Sequence, residues 1–427
     1  MPDLLTPLSL PSVRPNILPA NWIEHVRLST TFNVDTSSSH VTGVEQRRLL
    51  GDRPVRTMTA RITAGDRKRS TALLGNLLRA SSQIAPVPLY CDQSVTTAAA
   101  TSTVLTCPTT LRRFFVGGRV LVHHYDGDGV PTGHEYGIID SLTSTTITIR
   151  SPGLSLSHAV GSVVYPCMDA EINLSSTASL RTDAIVEVDQ TWLECYGKSA
   201  LPVVGPFDAL PADFPTYSPV GESVGVMLPV FNVSPNWGLE QSMSIVRPGE
   251  RFATGRAQQI ETYTPRPVFS FLLQLLRGTR SAAWDVVRFW HSRCGSHLPF
   301  MLPNPQVLFS FIQQNGTDEI WVQPYGNAAD IGDFIKYVMI RSTSGTIYIM
   351  KLTSATVSSG HLVLKVDALP GISDGSVAEV TSVHMVKFKT DEIVEEWLND
   401  EVCSIGLEAI EIVEEIASEI TDIETLS

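Results

Sequence analysis

The sequence predicts a mainly β (α+β) fold, built as two tandem copies of one unit, each with one helix and an inserted small β-barrel. Three observations carry that prediction. Short β-branched stretches alternate with Asp, Gly, Ser and Thr turns at a spacing of about eight to twelve residues. A set of landmarks recurs in the same order roughly 210 residues apart. One stretch in each half has helical rather than strand spacing.

A chain of 427 residues is too long for one ordinary domain, and at 43% hydrophobic residues it has ample material for cores. Charged residues are only 18%, below the roughly 25% of an average soluble domain. That deficit suggests a surface partly covered by other chains. Glycine and proline are 29 and 27, ordinary for a β-rich protein, which excludes collagen, coiled coil and wholesale disorder. The net charge of −13 has a location. Residues 390–427 hold 13 of the 44 acidic residues and no Lys or Arg, so 31 acids face 31 bases in the rest. A neutral body with an acidic pole does not capture nucleic acid electrostatically. The most apolar stretch, PVFSFLLQLL, is about half the length a membrane helix needs, and the Met-Pro-Asp start has no basic region before an apolar one. No membrane partner and no secretory signal are therefore expected. Cys91, Cys107, Cys167, Cys195, Cys294 and Cys403 are scattered without any C-x-x-C and are expected to be reduced, buried thiols.

The duplication rests on four landmarks. TDAIVEVDQTWLEC from Thr182 matches TDEIVEEWLNDEVC from Thr390, with Cys195 and Cys403 closing them at the same offset of 208. RPVRTMTARI from Arg53 matches RPVFSFLLQL from Arg266, at an offset of 213. Thr42-Gly43 and Thr254-Gly255 precede these, and PLYCD at Pro88 and PFMLP at Pro299 follow.

Each element then has a local reason. Residues 2–19, with five prolines, read as an extended arm. Thr57–Ile62 and Val268–Leu272 alternate as strands. Asp66–Ser81 reads as a helix with Leu73, Leu74, Leu77 and Leu78 on one face; its counterpart is Ser281–Ser292, with Ser281 as N-cap and Gly295 just past its end. The runs from GGRVLVHHYDGDG to GSVVYP and from IKYVMIRSTSG to SDGSVAEV read as the two small barrels, each of five strands. Lys198–Val226 is the Pro- and Gly-rich linker. In the acidic C-terminal region, DEIVEEW and LEAIEIVEE are expected to place acids and apolar residues on opposite faces.

No constellation carries chemistry convincingly. His123, His124, Asp126 and Asp128 resemble part of a calcium loop, but the position that needs a bidentate Glu is Gly137. A polar Asp-Gly hairpin turn accounts for the string. His134-Glu135 lacks a second His. His291, Cys294 and His297 follow helix-end spacing, and Cys195 and Cys403 read as equivalent core positions. There is no G-x-S-x-G elbow and no phosphate loop. Trp22 and Trp237 open the two copies in Asn-Trp pairs, while Trp192 and Trp397 follow the T-D motif; matching positions read as packing anchors. No catalytic, cofactor-binding or metal residue is assigned, and no enzyme is expected.

The ordered pattern resembles distal-tail and baseplate (tail-tip) proteins of tailed bacteriophages and gene-transfer agents. The residues that carry the resemblance are WHSRCGSHLPFMLPNP and FKTDEIVEEWLNDEVCSIGLEAIEI in the second copy, with GIIDSLTSTTITIRSP and VVYPCMDAEI in the first. It covers most of residues 20–413. The doubling departs from the many relatives with one copy, and the lack of clustered cysteines means that the iron–sulfur site of some tail hub proteins is not implied. The resemblance implies split β-barrels with one flanking helix. The units are then an arm (1–20), a first split barrel (21–112 and 168–198) around a small barrel (113–167), and a linker (199–226). A second split barrel (227–333 and 381–415) follows around a second small barrel (334–380), with an acidic tail (416–427). It also implies a structural virion protein, made in the host cytoplasm. Its rings would continue the tail tube and join it to hub, tape-measure and fibre proteins, with genomic DNA only in passage. Three chains would give a pseudo-six-fold ring and six chains a ring of six. The acidic C-terminus would line the channel or dock on a basic partner. A tail-associated glycan-binding module is the alternative, resting on the two small barrels.

Overall fold

The computed structural model describes residues 25–38, 45–50, 54–65, 67, 69–71, 73–74, 84–100, 102–125, 131–172, 177–182, 185–195, 214–217, 228–234, 236, 241–246, 249–254, 257–262, 268–304, 309–324, 332 and 334–412. The fold is mainly β, with a large antiparallel sheet system. The first half contains β1 (Val26–Thr31), β2 (Val34–Ser38), β3 (Glu45–Leu49), β4 (Val55–Ala64), β5 (Ala85–Pro88), β6 (Ser94–Val95), β7 (Val104–Thr106), β8 (Arg119–Tyr125), β9 (Pro131–Leu142), β10 (Thr146–Ile149), β11 (Val163–Ile172), β12 (Thr177–Leu180) and β13 (Val186–Glu194). A short pair follows, β14 (Thr216–Tyr217) with β15 (Leu228–Pro229). The second half contains β16 (Ser242–Val246), β17 (Gly249–Thr254), β18 (Ala257–Thr262), β19 (Val268–Arg277), β20 (Phe300–Pro303), β21 (Phe311–Asn315), β22 (Glu319–Val322), β23 (Tyr337–Ser342), β24 (Ile347–Ser358), β25 (His361–Val366), β26 (Val377–Phe388), β27 (Glu392–Trp397) and β28 (Cys403–Glu411).

The second series repeats the first strand for strand. β1 pairs with β4 as β16 pairs with β19, and β4 pairs with β13 as β19 pairs with β28. The hairpins β2–β3 and β17–β18 stand apart as two-stranded ribbons at the same point in each series. β11 receives β5 and β8 as β26 receives β20 and β23.

This equivalence corrects the alignment of the T-D motifs. In the first half the motif leads into β13, whereas in the second it forms β27, the equivalent of β12. Met58 faces Trp192, and at the same place in the second half Phe271 faces Ala409. Trp192 and Trp397 are both buried but do not occupy matching positions, and neither do Cys195 and Cys403. The physical reason is that T-D-x-I-V-E encodes only a turn and a half-buried strand of period two. Either arm of a β-hairpin satisfies that pattern.

The halves are joined edge to edge. β1 pairs antiparallel with β27, Leu28 opposite Glu395 and Val26 opposite Trp397. The result is one continuous sheet in the order β12-β13-β4-β1-β27-β28-β19-β16. One side is packed. A single apolar core runs through both halves, from Met58, Ile62 and Trp192 to Phe271, Leu275 and Trp397. The helix Arg280–Ser292 lies over it, burying Ala283, Val286, Val287 and Trp290 at i, i+3, i+4 and i+7. Its N-cap is Thr279, whose hydroxyl accepts from the Ala282 N–H at 3.3 Å, and not Ser281. Thr279 wins because it alone has extended backbone just before the first helical turn. Gly295, at φ +66°, closes the other end; a Cβ there would lie 3.3 Å from Asp391. In the first half the described residues Arg67, Arg69–Thr71, Leu73 and Leu74 are helical, and the rest of Asp66–Ser81 lies outside the described residues.

The inserted units have their own cores, centred on Val120, Ile139 and Ile147 in the first and on Ile320, Val338 and Leu364 in the second. Their pairings begin earlier than residues 113 and 334. β7 pairs with β10 and β6 with β11; β22 pairs with β25, and Phe309 bridges Val380. The segments before 113 and 334 belong to these circuits because only they supply the missing partners for β10 and β25. The arm 1–20 and the tail 416–427 lie outside the described residues, as does most of the linker 199–226.

Candidate functional site

Among the described residues, the junction of the halves gathers four buried charged side chains. Asp92 ends a 3-10 turn, Tyr90–Asp92, that follows β5. Arg113 stands in the loop before β8, Arg280 opens the second-half helix, and Glu395 points inward from β27. All four are at most 3% exposed. Arg113 donates to Asp92 at 3.1 Å and to Glu395 at 2.6 Å; Arg280 donates to Asp92 at 2.9 Å and to the Asp400 carbonyl at 2.8 Å. Arg280 also donates to the Cys91 carbonyl. Trp397 Nε1 donates to Glu395 at 3.0 Å. The Arg113 guanidinium lies 4.6 Å from the Trp284 ring and that of Arg280 4.5 Å from Trp397. Two cations and two anions thus alternate, two residues from each half. Burial opposes ionisation of Asp92, but Arg113 and Arg280 outweigh it and hold the carboxyl below its usual range. Burial, and then the charge of Asp92, pushes the neighbouring Cys91 thiol well up, so it is not a nucleophile at neutral pH.

This network can hold two halves in one register, and its four charged side chains are shielded from solvent. Glu395 is also a correction: it lies on the same side of β27 as Ile393 and Trp397, not on an outer acidic face. A solvated Glu is impossible there because that side is packed, leaving Glu395 fully buried, and Arg113 supplies the compensating charge.

A second buried chain of polar groups runs Ser382–His384–Glu411. Ser382 Oγ is 3.3 Å from His384 Nε2, and His384 Nδ1 is 3.2 Å from Glu411. The order matches a nucleophile, base and orienting carboxylate. However, Ser382 is fully buried, and the second oxygen of Glu411 accepts from the Phe269 N–H at 3.1 Å. The chain ties β26 to β28 and β19 and does not present a nucleophile to a substrate. Sequence reasoning missed it because Ser382 and His384 are two apart on one strand, a spacing that any strand contains.

The other singled-out residues are dispersed. Asp126 and Asp128 lie outside the described residues, as do Trp22 and Trp237. Glu135 accepts from the Ser155 and Leu156 N–H groups at 2.7 and 2.8 Å and pairs with His158 at 3.0 Å, bracing a loop of the first small barrel. His291 meets Phe32 edge-on at 5.8 Å, and Cys294 sits in the turn that ends the helix. Among the described residues no group of three or more His, Cys, Asp or Glu could hold a metal ion. None of the six cysteines forms a disulfide; four are buried, while Cys195 and Cys294 are partly exposed.

His123 is buried in β8 against Tyr165, and burial, then the charge of His134, lowers its pKa to about 4. The unfolded chain binds this proton near pH 6.5 and the folded chain does not. Stability should therefore rise with pH between about 4 and 6.5, by about 3 kcal/mol from this group. Urea midpoints at pH 4.5 and 7 should differ less in His123→Leu than in the parent; equal differences would contradict this.

The unpacked side of the continuous sheet is mixed, with the partly exposed Leu193 and Leu276 standing among charged residues. Its strand positions include Arg27, Arg61, Glu187, Asp189, Glu392, Glu396 and Glu408. Arg61 donates to Asp189 at 2.6 Å, while Arg181 and Lys389, from the turns, pair with Glu187 and Glu408, both at 2.8 Å. The side is weakly acidic and carries no basic stripe among the described residues. No helix among them is long and apolar enough to cross a membrane. No protein-family model matches the chain, and no curated protein matches it.

Proposed function

We propose that the protein is a structural component of a bacteriophage tail tip or baseplate, forming a ring that continues the tail tube and connects it to hub, tape-measure and fibre proteins. The observation that supports this most is the edge-to-edge joining of two equivalent units into one sheet through β1 and β27. A chain that already joins two like units side by side offers a contact that, repeated between chains, closes a ring where the rotation between units closes. The packed side carries the helix and would face outward. The bare, weakly acidic side would face the axis, where like charge lets DNA pass without adhering. The saturated ion network and the fully buried Ser382 favour this structural role over an enzymatic one.

The test is the composition of particles. Mass spectrometry of purified tailed particles from cells carrying the gene should find the chain at a low, fixed copy number, and deletion of the gene should leave tails without complete tips. Complete tails lacking the chain would overturn the proposal.

A further inference from the structure

The continuous sheet ends in β12 on one side and β16 on the other, and strand equivalence shows what each end lacks. β16 is the counterpart of β1, and β12 is the counterpart of β27. Inside the chain β1 and β27 pair with each other; among the described residues β16 pairs only with β19 and β12 only with β13. Matching the registers places Met243 and Ile245 where Leu28 and Thr30 stand, and Leu180 where Trp397 stands. Leu28, Thr30 and Trp397 are at most 1% exposed, whereas Met243, Ile245 and Leu180 are 43%, 68% and 73% exposed. Neither TASL nor SMSIV contains a charge or a proline, the usual devices that keep an edge strand from pairing.

We infer that β16 of one chain pairs antiparallel with β12 of a second copy, reproducing the β1–β27 junction between molecules. In that register Ser242 faces Ser179, Met243 faces Ala178 and Ser244 faces Thr177 of the neighbour, as Arg27 faces Glu396, Leu28 faces Glu395 and Ser29 faces Val394 within the chain. The pairing covers Met243, Ile245 and Leu180 and supplies ladder partners to both edges. It names the self-contact of the proposed ring and rests on that reading only for closure; the contact itself stands on strand equivalence.

The test uses the full chain carrying both Ser179→Cys and Ser242→Cys. Facing residues of an antiparallel pair have Cα atoms about 4.5–5.5 Å apart, within disulfide reach. Mild oxidation should give an intermolecular disulfide ladder on a non-reducing gel, ending at the ring's chain number. Each single variant should give less than about a tenth of that product, and Leu180→Asp should weaken association at least tenfold, the equivalent of about 1.4 kcal/mol. A ring seen by microscopy without the disulfide, or with it only in Ser179→Cys with Ser244→Cys, would overturn the pairing and leave the ring. A monomer with no crosslink would overturn both. A monomer whose β12 and β16 amides resist hydrogen exchange would assign the edges to another segment of the same chain and overturn the inference as well.

Discussion

Asp92→Ala should cost about 3–5 kcal/mol of stability, the loss typical when one member of a buried ion network is removed. The substitution leaves Arg113 with Glu395 and the Trp284 ring and leaves Arg280 with backbone carbonyls and the Trp397 ring. Both guanidiniums stay buried, so their desolvation is no longer compensated. The same reasoning sets the pH dependence. Because the folded pKa of Asp92 is lowered, its contribution is present above the ordinary carboxylate range and is lost as pH falls through the folded value. Denaturant midpoints at pH 7 should show the full loss. Asp140→Ala, which removes an exposed partner of Arg150 at 3.4 Å, should cost less than about 1 kcal/mol. Equal costs for the two variants would refute the junction network as a determinant of stability.

The second large effect comes from the shared core. Trp290 is fully buried and packs 5.2 Å from Phe32, across the boundary between the halves. Trp290→Ala should cost about 3–5 kcal/mol. Since the core of the continuous sheet is one body, both halves should lose structure in a single transition. Leu364→Ala, in the separate core of the second small barrel, should cost about 2–5 kcal/mol but release that barrel without unfolding the main sheet. Hydrogen exchange resolved by segment distinguishes the two. Independent melting of β4–β13 and β19–β28 in Trp290→Ala would contradict a common core.

Much of this architecture was legible because strands and helices write their period into the chain. β4 alternates through Met58, Ala60 and Ile62, and the second-half helix shows Ala283, Val286, Val287 and Trp290. The repeat was legible from ordered landmarks, but not its register at the end. TDAIVE and TDEIVE look alike, yet hairpin position depends on which strand lies alongside, and local alternation does not record that. The junction network was hidden for a related reason. Arg113 and Glu395 are 282 residues apart, and Arg280 and Asp92 are 188 apart. One signal was available: Glu395 falls in phase with Ile393 and Trp397, and an acid on the apolar phase of a strand calls for a buried cation. The bounds of the small barrels were missed because β6, β7, β21 and β22 are short and precede the runs that look most like strands.

Native mass spectrometry of the purified full-length chain, combined with two-dimensional class averages, probes the assembly most directly. A closed ring with an even number of similar lobes, six from three chains, is the expected result. A stable monomer at micromolar concentration, or an open filament with no closed form, would contradict it.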